Sequence, residues 1–233
     1  MTGYEIMRRN VEFEGPERVG LRFESLGTSD VYRIYTQRPL HRRESDAPVQ
    51  MNKKPVTPVG GTDEWGCGWE RVEGAPGGDM GIPTGHPLDD WRQLDDYPIP
   101  DPRAPGRFEG LDTALEQAGE KYVQLNSPFC LFERMHFLRG FENLMKDLYL
   151  HREEVERLAD LVIGYQIGIV EEAYRLAQGG IHCFDTTDDW GTQDGLMIRP
   201  RMWRDIFKPR YKRLVDAIHD AGMHIRFHTD GKV

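Results

Sequence analysis

Two short stretches concentrate reactive side chains. In "DTTDDWGTQDG", Asp185, Asp188 and Asp189 crowd together, and in "FHTDG", His228 and Asp230 are spaced to point the same way from a strand end. Clustered carboxylates repel, which raises at least one pKa and suits acid–base work or a bound cation. A histidine beside a carboxylate can ligate a divalent metal or serve as a base oriented by the acid. Asp188, Asp189 and His228 are therefore catalytic candidates, and His228 with Asp230 is a candidate metal pair for zinc or another divalent ion. Asp185 and His224 read as structural.

Two further stretches offer ligand contacts. "GTDEWGCGW" sets Asp63 and Glu64 before Trp65 and Trp69, with glycines that permit tight turns. Aromatic rings beside a carboxylate suit a flat organic ligand, and equally the packing of an insertion. Trp65 is therefore a substrate-binding candidate. Cys67 has no neighbouring base and is not a nucleophile candidate. In "NSPFCLFERMHFLRGFENLMKD", Glu133 and Arg134 fall near a predicted helix start and are candidate substrate contacts. Arg139 and Glu142 have the spacing of an ordinary helix ion pair.

Alternating helices and strands must position these groups. "LDTALEQAG", "EVERLADLVIGYQIGIVEEAYRLAQGG" and "RPRMWRDIFKPRYKRLVDAIHDAG" carry helical periodicity. The second puts Val155, Leu158, Val162, Tyr165 and Ile169 on one stripe, and Pro209 should kink or split the third. Each is followed by a short strand: "KYVQLNS", "IHCFDTTDD" and "MHIRFHTD". Such βα alternation predicts a parallel sheet. A first strand is assigned to Arg18–Phe23 and a second to the region of "GTDEWG". The strands alternate apolar and polar residues, so helices should cover one face while the other lines a wet interior. Arg22, on the polar face of the predicted first strand, is a further substrate-contact candidate.

Composition bounds the class. The 233 residues carry 38% hydrophobic and 10% aromatic side chains with a formal charge of −9, which disfavours a general nucleic-acid binder. No apolar run is long enough to span a membrane, and the N-terminus has no apolar signal core. Three cysteines without a CxxC pair fit reduced thiols, and a cytoplasmic location is expected. Residues 37–110 are rich in proline and glycine, yet hold Trp65, Trp69 and Trp91, which argues for an ordered, irregular insertion. Walker, GxGxxG, GxSxG and HExxH motifs do not occur.

The succession of "FEGPERVGLRF", "TDEWGCGWE", "FERMHFLRGFENLMKDLYLHREEVERL", "DDWGTQDGLMIRPRMWRDIFKPRYKRLVDAIHDAGMH" and "FHTDG" resembles the uroporphyrinogen decarboxylase superfamily. That superfamily includes methyltransferases that pass methyl groups between corrinoid proteins and thiols. The resemblance covers almost the whole chain and is strongest from Lys121 onward. It implies an α/β fold of the (β/α)8 TIM-barrel type, with the active site at the carboxyl ends of the strands. Asp63 resembles the aspartate that binds pyrrole nitrogens in the decarboxylases, which makes it a catalytic candidate, and Arg134 takes the place of a substrate-contacting tyrosine. Where those enzymes carry an arginine-rich segment for substrate carboxylates, this chain has "FESLGTSDVYR". "FHTDG" falls where the zinc methyltransferases have His-x-Cys-Gly, with His228 matched and Asp230 in the cysteine's place. A carboxylate there makes a harder donor set than a thiolate. A corrinoid-binding DxHxxG does not occur, so a corrinoid would arrive on a partner protein.

The resemblance implies decarboxylation or methyl transfer on a tetrapyrrole-like or methylated small molecule. About five predicted strands fall short of the eight a barrel needs. The expectation is therefore one barrel domain over residues 1–233 that forms part of a longer enzyme. A half-barrel completed by a second subunit, such as a homodimer, and a degenerate binding module are the alternatives.

Overall fold

A computed structural model of the chain describes residues 1–23, 27–39, 49–53, 61–70 and 81–233. The remaining parts of the predicted insertion, 40–48, 54–60 and 71–80, lie outside the described residues.

Helix α1 (Gly3–Val11) opens the chain under a capping box: the Thr2 hydroxyl accepts from the Glu5 N–H, and the Glu5 carboxylate accepts from the Thr2 N–H. The expected first strand at Arg18–Phe23 is not part of the main sheet. Only β1 (Arg22–Phe23) is extended, and it pairs antiparallel with β2 (Thr28–Ser29). The reason is Asp30, whose carboxylate accepts from the Leu21 N–H and the two terminal Arg18 guanidinium nitrogens, folding this segment back on itself. Val19 and Phe23 are exposed as a result.

The first strand of the main sheet is β3 (Val31–Tyr35). It is followed by β7 (Tyr122–Asn126), β8 (Cys183–Thr187) and β9 (His224–His228), parallel throughout in the order β3-β7-β8-β9. The "GTDEWG" region also lies outside this sheet. It supplies β4 (Gly61–Thr62), which joins β5 (Gly68–Glu70) and β6 (Ile82–Gly85) in a separate antiparallel sheet. The described residues thus form four parallel strands, fewer than the five expected, and no closed barrel.

The strand registers sort the side chains by face. Ile34, Leu125, Phe184 and Ile225 stand in one row, and all four belong to or pack against the apolar core. The opposite face carries Gln124 beside Cys183 and His224, then Asn126 beside Asp185 and Arg226, then Thr187 beside His228. The alternation read from the sequence for β7 and β9 matches these rows.

Helices close the apolar face. α2 (Leu111–Ala118) ends at Gly119, and α5 (Arg152–Ala177) buries the predicted stripe from Val155 to Ile169. The third predicted helix is split at Phe207 into α6 (Pro200–Ile206) and α7 (Lys208–Asp220), with Pro209 in the first turn of α7. Arg210 ties α7 to α5 through Asp160 at 2.9 Å. Between β7 and α5 lie α3 (Phe132–Arg139) and α4 (Phe141–Leu150), separated by Gly140. That break corrects the expected Arg139–Glu142 pair. Arg139 instead meets Asp147 at 2.7 Å, and Glu142 meets Lys146 at 2.6 Å. No helix is long and apolar enough to cross a membrane among the described residues.

Candidate active site

The carboxyl ends of β3 and β7 face the antiparallel insertion across a cleft of about 170 Å³. A tight turn presents Asp63 to it. The Asp63 N–H donates to the Cys67 carbonyl, and its Oδ1 accepts from the backbone N–H groups of Trp65 and Cys67, each at 2.9 Å. Its Oδ2 accepts from Arg134 at 2.7 Å. The Arg134 guanidinium rests against Trp65, Phe129 and Phe137, with ring centroids 5.2 to 5.6 Å away. Asp63, Trp65 and Arg134 therefore share one wall of this cleft, whereas Asp188, Asp189 and His228 do not line it.

The neighbouring polar cluster is not foreseeable from residue type. Arg107 makes a bidentate pair with Glu64 at 3.2 and 2.9 Å, and the Tyr165 hydroxyl donates to the same carboxylate at 3.0 Å. Trp65 packs edge-on to Tyr165 with centroids 5.0 Å apart. Arg107 comes from the Pro/Gly-rich segment and Tyr165 from the α5 stripe, and neither carries a local sequence signal. Together they fasten the insertion to the helical layer.

A second cluster stands at the carboxyl ends of β8 and β9. His228 Nε2 lies 3.2 Å from Asp230 Oδ1, and Asp189 Oδ1 accepts from the Asp230 N–H at 2.8 Å. One donor atom from each of Asp189, His228 and Asp230 lies within 4.8 Å of the others. The loops that carry them touch through their backbones. A Cβ on Gly191 would stand 2.8 Å from the Gly231 carbonyl carbon, and Gly231 has a positive φ of 86°. An imidazole nitrogen and two carboxylate oxygens suit a hard or borderline divalent cation, so the residues fit the metal that the family resemblance implies.

Asp188 does not join that group. It is fully buried and accepts from the N–H groups of Leu131, Phe132 and Glu133 at 2.7 to 2.9 Å, and from the Tyr211 hydroxyl. It caps the start of α3, which has no cap of its own. Burial raises its pKa to about 6, against the lowering effect of those hydrogen bonds. Glu133 lies beside it, accepting from the Thr187 hydroxyl at 2.9 Å. Burial, then the Asp188 charge, lifts the Glu133 pKa to about 8.

Arg22 does not line the cleft and approaches Asp185 at 4.0 Å. Asp185, fully buried, is held by Arg226 at 2.6 Å, and His224 is held by Tyr122 at 2.6 Å, as structural readings of both would have it. The three thiols are buried, and burial pushes Cys67 and Cys183 up to about 12. None is placed to act as a nucleophile.

A parallel sheet with helices on its apolar face and polar groups at its carboxyl ends defines an α/β protein built on the TIM-barrel plan. The chain belongs to the uroporphyrinogen decarboxylase (URO-D) family, whose model matches residues 76–233. Among solved structures, a methyltransferase from Methanosarcina mazei shares the fold, with a TM-score of 0.54 and 16% sequence identity. The match covers 72% of this chain and 47% of that one, so the chain spans about half the length of that structure. No curated protein matches the chain.

Proposed function

We propose that this chain is part of a URO-D-family enzyme that transfers a methyl group to or from a small molecule with the help of a divalent cation. The grouping of Asp189, His228 and Asp230 carries the reading, because one donor atom from each lies within 4.8 Å of the others. When bound, such a cation would lower the pKa of a methyl acceptor. Asp189 and Asp230 would supply oxygen and His228 nitrogen, while the cleft beside Asp63, Trp65 and Arg134 holds the substrate. Glu133, held by the Thr187 hydroxyl at 2.9 Å, lies on the same edge of the sheet. A corrinoid methyl carrier would come on a partner protein.

Decarboxylation by charge stabilisation at Asp63 fits less well. Both Asp63 oxygens are engaged, one by two backbone N–H groups and the other by Arg134. The shared fold of the Methanosarcina mazei methyltransferase agrees with methyl transfer.

Metal titration tests the reading. Chelator-treated protein should take up about one equivalent of zinc or manganese, and His228→Ala and Asp230→Ala should each lose it. Wild-type protein that takes up neither ion would sink the proposal.

A further inference from the structure

On the reading that Asp189, His228 and Asp230 hold a divalent cation, we infer that the Tyr211 hydroxyl is the positioning group that sets the Asp189 carboxylate against the other two donors. It acts from α7 through the two residues that flank Asp189.

Among the described residues, the Asp189 carboxylate accepts one hydrogen bond, from the Asp230 N–H at 2.8 Å. Its place therefore follows from the chain on either side, and both neighbours converge on one oxygen. The Trp190 indole N–H donates to the Tyr211 hydroxyl at 3.0 Å, and that hydroxyl donates to the Asp188 carboxylate. An indole offers only a donor and an ionised carboxylate only acceptors, so the two can be joined only through a group that accepts from one and donates to the other. A phenol does both. Asp188, Trp190 and Tyr211 are all buried, where a low dielectric strengthens such a chain of bonds.

The same two neighbours meet the other donor loop through their backbones. The Asp188 N–H donates to the His228 carbonyl at 3.0 Å, and the Trp190 N–H donates to the Thr229 hydroxyl at 3.1 Å. The Tyr211 ring also lies edge-on to Phe227, the residue before His228, with centroids 5.5 Å apart. Tyr211 thus holds segments 188–190 and 227–229 in one register. Metal–donor distances tolerate only about ±0.2 Å, so a small slip of either segment is felt at the cation.

Tyr211→Phe removes the shared oxygen and keeps the ring. Amide hydrogen exchange on chelator-treated protein follows the placement directly: the Asp230 N–H, whose partner is Asp189, should exchange about fivefold faster or more in the variant. Zinc titration follows the consequence, a loss of about tenfold or more in affinity. Ile218→Val, a buried change farther along α7, loosens the same helix without touching the hydroxyl and should leave both measurements near wild type. Asp230 exchange unmoved by Tyr211→Phe, zinc affinity unmoved where the wild type binds the ion, or the same changes in Ile218→Val would each overturn the inference. Wild-type protein that takes up no zinc sinks the cation reading instead, and exchange at Asp230 then decides the placement of Asp189 alone.

Discussion

Arg134 and Asp63 meet at 2.7 Å across the join between the antiparallel insertion and α3, each with a side chain about nine-tenths buried. Removing one partner leaves the other charge buried and unmatched. Arg134→Ala is expected to destabilise the protein by about 3 kcal/mol, toward the lower end for a buried pair. Adding Asp63→Asn should recover part of that loss, because the amide oxygen still accepts from Trp65 and Cys67 without a charge. Urea unfolding of the single and double variants measures it, and full additivity would contradict the coupling.

Glu133 makes stability depend on pH in an unusual direction. Its folded pKa of about 8 lies above the ordinary 4.5, so in between the folded state holds a proton that the unfolded chain releases. Stability from this group is therefore complete at acid pH and falls as pH rises, by about 3 kcal/mol between pH 4.5 and 7. Glu133→Gln should flatten that slope and leave the variant more stable than wild type at pH 8. Denaturant midpoints across this range decide the matter, and parallel profiles would refute it.

Adjacent aspartates should separate cleanly. Asp188→Ala strips the acceptor from three backbone N–H groups and Tyr211, and should cost about 3 kcal/mol or more. Asp189→Ala removes one acceptor, that of the Asp230 N–H, and should leave the thermal midpoint near wild type. It should instead weaken zinc binding about tenfold or more. Thermal melts and metal titrations on the same two variants check both halves, and the reverse pattern would make Asp188 the ligand and Asp189 the cap.

Periodicity exposes what repeats locally. The stripe on α5, the alternation of β7 and β9 and the split at Pro209 all follow from spacing along one element. The first strand is misplaced because Val19, Leu21 and Phe23 alternate like a strand, while the decisive contact, Asp30 to Leu21 and Arg18, reaches back from outside that window. Val31–Tyr35 has strand-forming residues, but Arg33 breaks its apolar run. Asp63, Trp65 and Arg134 can be picked out by residue type. Arg107 and Tyr165 cannot, since only the tertiary fold brings an α5 side chain beside the end of β7. Asp188 and Asp189 look equivalent in sequence, and only the position of α3 distinguishes them.

The contact between Gly191 and Gly231 has a consequence for how such a site can diversify. The gap between the two loops is set by bare main chain, whereas the donors are side chains hung from it. At the proposed cation site, imidazole, carboxylate or thiolate could replace one another at 189, 228 or 230 while the frame stands, and the preferred ion would shift with each exchange. A methyl group at either glycine would act as a wedge and part all three donors at once. In the proposed cation site the three side chains would be interchangeable parts, and the two glycines the fixture that holds them.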